Sequence, residues 1–435
     1  MTLTQKFAAI SLAAFLTATA SNAMASGFQL KEQGAAGQGA SFAGETARAE
    51  DLGTAFYNPA GIMLLDNPNQ VYGGVTAIDP FAHLQTRSVT PGAGGQPNAG
   101  NDNGNDAGKV AYVPNIAASF EVAPNWRVGM TLNTPFGLST EYDQNWVGRY
   151  FAIDSEVQTI NFTPTVATKL TKQLSVAGGV QIQEISARLT NGINQNIVGA
   201  PDGQAKVTGD DVGYGVVASA LYQLDQATNI GVDYRSRVVH KLDGDIRFQD
   251  ISPIIAAGSP AGTFSENAVT AKVVTPDTLS FGMTHDLDKQ WKLLADVSWT
   301  NWSSFHNLTV RNQGSGVVRS NVEEDWHDTY FYSVGTEYKA TDRLKLRTGV
   351  AYDKSPVDTS HRTFRIPDSD RLWLSGGTSY QLTDAIGIDA AYTHIFARGV
   401  SATETDPVSA VSGGSVTGTY RPHVDIVSVS ASYKF

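Results

Sequence analysis

The chain of 435 residues has no cysteine, five methionines and 17% charged residues. Without a thiol there are no disulfides, no thiolate metal sites and no cysteine nucleophiles. Positive charge is scarce: 31 Lys and Arg stand against 42 Asp and Glu, a net charge of -11, which excludes the basic surface that nucleic-acid binding needs. Beyond the first 25 residues, glycine or polar residues interrupt every apolar run, so none approaches the ~20 residues of a bilayer-spanning helix. The chain also lacks a GxSxG elbow, an HExxH pair and a Walker loop, and Gly37-Gln38-Gly39 is missing the third glycine of a dinucleotide fingerprint. The eight histidines are scattered. Asn101-Asp102-Asn103-Gly104-Asn105-Asp106 is rich in oxygen ligands but has no closing glutamate of a calcium loop, and reads as a solvated loop tip. No enzyme activity, metal or cofactor is expected. A hydrolase drawing Ser, His and acid from separate strands is the one enzymatic alternative these absences leave open.

What is present begins with a leader. Met1 to Ala25 carries one early cation, Lys6, an apolar run from Phe7 to Ala20, and Ala23-Met24-Ala25, the small-x-small pattern that a signal peptidase cuts. Residues 1–25 are therefore read as a signal peptide and Ser26 as the mature start. An exported chain without spanning helices is either a soluble periplasmic or secreted protein, or an outer-membrane barrel.

Alternation and loop length choose between these. From Val71 onward, segments of about ten residues alternate apolar and polar, the dyad pattern of a transmembrane β-strand. In the last, Val427, Val429, Ala431, Tyr433 and Phe435 oppose Ser428, Ser430, Ser432 and Lys434. Leu344, Leu346, Thr348, Val350 and Tyr352 oppose Lys345, Arg347, Gly349, Ala351 and Asp353. Charges confined to one face fit a lipid-facing outside and a wet lumen, because a charge at mid-bilayer costs ~2–4 kcal/mol. About fourteen such strands can be counted. Short connections such as Thr171–Lys172 and Ala340–Asp342 alternate with long ones such as Pro80–Lys109 and Lys241–Ala271, so all long loops emerge at one end. A soluble sandwich has no reason to sort its loops in this way. Phe120, Trp126, Tyr222, Trp291, Tyr338, Tyr380, Tyr433 and Phe435 lie beside the short turns, where an interfacial aromatic girdle belongs. The fold expected is an all-β membrane protein: a signal peptide (1–25), a Gly- and Ala-rich hatch (26–68) plugging the lumen, and a fourteen-stranded antiparallel transmembrane β-barrel (69–435).

Several stretches together resemble the FadL family of outer-membrane long-chain fatty acid transporters, a family that also includes aromatic-hydrocarbon transporters. They are Ser26-Gly27-Phe28-Gln29-Leu30, the hatch motif Asn58-Pro59-Ala60, Pro135-Phe136-Gly137-Leu138-Ser139-Thr140-Glu141-Tyr142, and Ile366-Pro367-Asp368-Ser369-Asp370-Arg371 followed by Leu372-Trp373-Leu374-Ser375, with terminal Phe435 as the insertion signal. The resemblance runs in order along the mature chain. It implies capture of a lipophile in a loop groove, binding in the lumen and passive lateral release beside a kinked strand. It further implies a Gram-negative outer membrane with its lipid and lipopolysaccharide as surroundings; a monomer is expected. Uptake of aromatic hydrocarbons is the alternative cargo, and a general porin the alternative class, against which the plug argues.

Candidate ligand residues follow from an apolar track with a few polar anchors. Phe28 and Leu30 sit near a mature N-terminus that enters the lumen, with a free amine at Ser26. Ile251, Ile254 and Ile255 in the loop Phe248–Phe264, and Ile193, Ile197 and Val198 in Asn191–Asp211, are candidate groove walls. The connection Thr190–Asp211 is short for a protein that captures long chains. Arg149, amid Trp146, Tyr150 and Phe151, is the first choice to grip a carboxylate with its forked guanidinium; His327, beside Trp326, is the second. Asn58-Pro59-Ala60 reads as a rigid corner, since proline fixes its own φ and restricts the residue before it.

Overall fold

The computed structural model describes residues 27–92, 104–406 and 413–435. The expected leader, its cleavage site, the amine of Ser26 and Asn101–Asn103 lie outside them. Fourteen strands cross the wall: β1 (Gln70–Thr90), β2 (Ala111–Ala123), β3 (Trp126–Asn133, resuming as Gly137–Glu141), β4 (Asp154–Lys169), β5 (Leu174–Ile193), β6 (Gly203–Gln223), β7 (Thr228–Arg235 and Val238–Gln249), β8 (Asn267–Thr275 and Thr278–Asp286), β9 (Trp291–Thr300), β10 (Thr329–Lys339), β11 (Leu344–Asp353), β12 (Arg371–Gln381), β13 (Ile386–Ala397) and β14 (Ser415–Lys434). Each pairs antiparallel with the next, and β14 pairs with β1 from Gln70↔Lys434 to Thr90↔Ser415, which closes the cylinder. Closure removes the sheet edges that lipid could not satisfy.

Alternation works as expected. Val427, Val429 and Tyr433 are exposed while Ser428 and Ser430 are buried; Leu346, Val350 and Tyr352 face out while Arg347 and Asp353 face in. At the short-turn end Trp126, Trp291, Tyr380 and Phe435 are exposed, and Trp291 stacks on Tyr338 at 4.6 Å between ring centres. The opposite end departs from expectation. The supposed loops Thr190–Asp211 and Lys241–Ala271 are largely strand, because β5 pairs with β6 up to Ile193↔Gly203 and β7 with β8 up to Ile246↔Asn267. The connections shrink to residues 194–202 and 250–266, the latter holding a short helix (Pro253–Gly258). Above the membrane the outer face meets water instead of lipid, so the alternation inverts, with Lys241, Asp243 and Arg247 outward and Leu242 and Ile246 inward, while backbone pairing continues.

Residues 27–69 fold inside the cylinder as α1 (Ala35–Gln38), α2 (Thr54–Tyr57) and a 3-10 turn (Pro59–Leu64). These elements are too short to be stable alone, and the wall supplies what they lack. Thr46 N–H donates to Asp296 at 2.9 Å, Ser41 Oγ to Ser375 Oγ at 2.7 Å, and Gln38 Nε2 to the Ile426 carbonyl at 3.1 Å. Inward-facing glycines let backbone meet backbone. A Cβ on Gly349 would collide with the Ala40 carbonyl, one on Gly231 with the Thr46 carbonyl, and one on Gly377 would stand 2.6 Å from Gly39 Cα. Near the short-turn end Glu50 contacts the ammonium groups of Lys292 and Lys345, and Glu337 ties Lys345 (3.0 Å) to Arg347 (2.7 Å).

Candidate functional site

Asn58-Pro59-Ala60 forms the expected corner, and its partners explain why it is asparagine. Proline opens the 3-10 turn, and the Asn58 side chain caps it by accepting from Ala60 N–H at 3.0 Å. The same amide donates to the carbonyls of Thr46 (2.6 Å) and, on β6, Ala220 (3.0 Å). Asn58→Ala should therefore lower stability by about 1–3 kcal/mol, read as an earlier thermal transition of the folded protein in detergent.

β3 breaks at residues 134–136, where Pro135 has no N–H to give. Its pairing with β2 ends at Ile116↔Leu132, although β2 continues to Ala111 on its other edge. The chain start fills the lumenal side of this break: Leu30 N–H donates to the Pro135 carbonyl and Gly137 N–H to the Phe28 carbonyl, both at 2.8 Å. The wall is thus interrupted beside Ala111–Asn115, with Phe136 at the gap.

Phe28 anchors an aromatic septum. Its ring lies 4.8 Å from Trp302, 5.6 Å from Phe305, 5.8 Å from Trp326 and 5.9 Å from Phe136, all five side chains buried. The Ile366–Arg371 stretch holds this end in place: Asp368 accepts from Gly27 N–H at 3.0 Å and Ser355 Oγ at 2.7 Å, and pairs with Arg371. Gly27 is at φ 67, and a side chain there would run into Trp326, so the glycine is required.

Above the septum lies a cavity of about 1160 Å³ whose walls include Phe28, Leu138, Ile185, Ile193, Leu242, Ile246, Phe248, Phe305 and Val310. Below it a cavity of about 70 Å³ is bounded by Leu30, Phe42, Phe136, Asp233 and Arg235. The upper one is walled by strand extensions and loop hairpins, including the pair Asn307–Asn312 and Val318–Glu323, which joins β8 through Ala271↔Val310.

The expected ligand residues separate into two groups. Phe28 and Ile193 line the upper cavity, and Leu30 the lower. Ile251, Ile254 and Ile255 are not among the lining residues; Ile255 is buried beneath its own helix and Ile254 is exposed, while the flanking Phe248 and Phe264, edge to face at 5.4 Å, form the wall there. Arg149 is committed to Asp202 at 2.6 Å and to the Tyr150 hydroxyl at 2.7 Å, closing residues 194–202 against the 146–151 turn; Tyr150 and Phe151, not Arg149, reach the cavity. His327 is half-exposed, 3.9 Å from Asp358.

Sequence reasoning missed Arg365. Its guanidinium opens on the upper cavity and donates to Ser155 Oγ at 2.8 Å and to the carbonyls of Asp154 and Thr190 at 3.3 Å. No carboxylate among the described residues forms an ion pair with it. Glu324 and Glu404 line the same cavity, and burial pushes each carboxyl up to about 7. Glu324 accepts from Trp326 Nε1 at 3.0 Å, and Glu404 from Phe364 N–H. The three groups come from three different loops, and no local spacing announces them.

Residues 16–435 match the family described as outer membrane protein transport protein (OMPP1/FadL/TodX). The long-chain fatty acid transport protein of Escherichia coli O6:H1 is 29% identical over 437 residues, spanning 93% of this chain and 95% of that protein. Among solved structures, a Pseudomonas aeruginosa FadL homologue matches with a TM-score of 0.86 at 26% identity, covering 94% of this chain and 100% of that one. The Pseudomonas putida toluene transporter TodX shares the fold, with a TM-score of 0.68 at 16% identity over 92% and 98% of the two chains. With its closed fourteen-stranded wall, its interior packed by its own N-terminal residues and a full-length match, the chain belongs to the OMPP1/FadL/TodX family of outer-membrane transport proteins.

Proposed function

We propose that the protein carries long-chain fatty acids passively across the outer membrane, and has no enzymatic role. The observation that carries this reading is the upper cavity, apolar along most of its wall, with the half-buried guanidinium of Arg365, alongside that of Arg319, open to it. Its volume sits at or above the ~300–1,000 Å³ usual for small-molecule sites, so a molecule the size of toluene would leave much of it unfilled. A chain with a carboxylate at one end matches both the wall and the cation. Arg365, rather than the ion-paired Arg149, takes the head group, and Phe28 meets the tail. Residues 26–68 act as the hatch. Movement of Phe28 would join the two cavities, and the gap beside Pro135 then offers a sideways exit into the bilayer. Uptake of aromatic hydrocarbons by the same path is the second reading, favoured by the five-ring septum through which such cargo would pass.

Equilibrium binding of oleate, methyl oleate and toluene to the folded protein tests the proposal. Oleate should bind tightest and methyl oleate clearly weaker; toluene binding as tightly as oleate would transfer the reading to aromatic cargo. The carboxyls of Glu324 and Glu404 add a pH dependence. Their values are raised by burial, so both are neutral below about 7 and leave Arg365 to the ligand. Above that value they ionise and compete with it. Oleate affinity should fall by about tenfold between about pH 6 and pH 8, the fall that one fully coupled carboxyl titrating near 7 produces, and by more if both compete. Methyl oleate should show no such fall.

A further inference from the structure

On the outside of the wall, at the level where β7 and β8 leave the membrane, two lysines face each other. Lys241 and Lys272 are direct cross-strand partners, and both point outward, since their neighbours Val238, His240, Leu242 and Val273 are buried toward the lumen. Like charges directly opposite one another in a sheet are destabilising, and neither ammonium has an ion-pair partner among the described residues. One step toward the membrane the facing pair is Val239↔Val274.

The sheet opens here as well. β8 pairs with β9 from Asp286 to Thr278 and with the loop hairpin at Val269–Ala271. Between these, residues 301–306 stand off and leave an outward groove of about 430 Å³ lined by Arg237, Val239, Lys272, Val274, Ser303 and His306, among others. Its cations lie above and around an apolar floor. Three of the carboxylates near it are already engaged. Asp277 pairs with Arg237 at 2.8 Å, Asp325 lies 3.4 Å from His306, and Asp211 accepts from Lys241 N–H at 3.1 Å while holding His240. Asp243 and, on β6, Asp210 face each other one step higher on the same surface.

Height identifies the occupant. Counting from Thr228 at the short-turn end, Arg237 falls about 23 Å up the wall and Lys241 about 33 Å, at ~3.3 Å per residue and a tilt of about 40°. The apolar band of such barrels is ~25 Å tall, so Arg237 marks its upper edge and the lysine pair lies in the headgroup layer. We propose that this groove binds a phosphorylated glycolipid of the outer leaflet, its phosphate bridging Lys241 and Lys272 with support from Arg237, and its acyl chain lying along Val239 and Val274. An anionic headgroup removes the repulsion that the bare wall builds in, and an anchored chain explains why apolar residues sit directly beneath the cations. The site is separate from the lumen and leaves the transport path untouched.

The experiment titrates folded protein in detergent with purified diphosphoryl lipid A, dephosphorylated lipid A or inorganic phosphate, and counts bound molecules by native mass spectrometry. Lys241→Gln/Lys272→Gln should weaken diphosphoryl lipid A binding by about tenfold or more, and dephosphorylated lipid A should bind the unaltered protein no better than that. Lys272→Glu separates binding from folding: it replaces the repelling pair with an attracting one, so in glycolipid-free detergent its thermal transition should rise while lipid A binding is lost. Retention of heat-modifiable migration on gels shows that each barrel is folded. Equal lipid A binding by the lysine variants, equal binding of the dephosphorylated lipid, capture of free phosphate alone, or a lowered transition for Lys272→Glu would each overturn the proposal.

Discussion

Replacing Gly349 by valine should make the barrel conduct steadily across a planar bilayer where the unaltered protein is expected to pass few ions. The Ala40 carbonyl occupies the place where a Cβ on residue 349 must stand, so the intruding side chain meets backbone and not the movable end of another side chain. The strand cannot retreat, because β11 is locked by pairing to β10 on one edge, from Phe331↔Asp353 to Lys339↔Lys345, and to β12 on the other, from Leu344↔Tyr380 to Asp353↔Arg371. The inner segment is the softer partner. Its elements are four to six residues long, and overpacking by a few methyl groups costs about 1–3 kcal/mol, comparable to one or two of its anchoring hydrogen bonds. Residues 39–43 should therefore leave the wall and open a water path past α1. Single-channel recording reads the result, with heat-modifiable migration as the check that the barrel still closes. Gly349→Ala should give a smaller increase. An unchanged, silent Gly349→Val would mean that residues 27–69 do not seal the lumen.

The second large effect is expected at Arg365. Arg365→Gln keeps a donor to Ser155 but removes the charge, and should weaken oleate binding by about thirtyfold to several thousandfold, the range for losing one partner of a buried charged pair. Methyl oleate presents no carboxylate and should be nearly unaffected, within about twofold. The contrast matters because a variant that merely loosened the loop cap would weaken both ligands alike. The pH dependence should vanish in the same variant if, as proposed, Glu324 and Glu404 act on the ligand by competing for this guanidinium. Arg149→Gln should affect the two ligands equally, because its side chain holds residues 194–202 through Asp202 and Tyr150 and is not among the residues lining the cavity.

The strand pattern was legible because lipid enforces it. A residue such as Leu346 must be apolar and its neighbour Arg347 must find the lumen, so the period of two is written wherever the wall crosses the bilayer. That pressure stops at the interface. Residues 203–211 and 241–249 turn polar side chains such as Lys206, Lys241, Asp243 and Arg247 outward and apolar ones such as Val207, Leu242 and Ile246 inward, the reverse of the lipid-facing pattern, and they read as loop although their backbones pair to the tip. The corner at Asn58-Pro59-Ala60 was legible because proline restricts backbone angles locally; that its asparagine reaches Ala220 on β6, far along the chain, was not.

The same division holds for the site. Composition alone removed disulfide, thiolate and nucleic-acid chemistry, and the sequence by itself determined an exported, fourteen-stranded barrel with sorted loops and an apolar chain start. Phe28 could be suspected from its place beside the expected mature N-terminus. Glycines inside strands, such as Gly231 and Gly349, signal a close approach without saying what approaches. Only the tertiary structure decided that Ala40 and Thr46 do, that Arg149 is consumed by Asp202, and that Arg365, Glu324 and Glu404 meet in one cavity. The reason is physical: periodicity and backbone restriction act between neighbours in sequence and leave a local trace, whereas a binding cavity is built from residues hundreds of positions apart, whose proximity is fixed by closure of the cylinder.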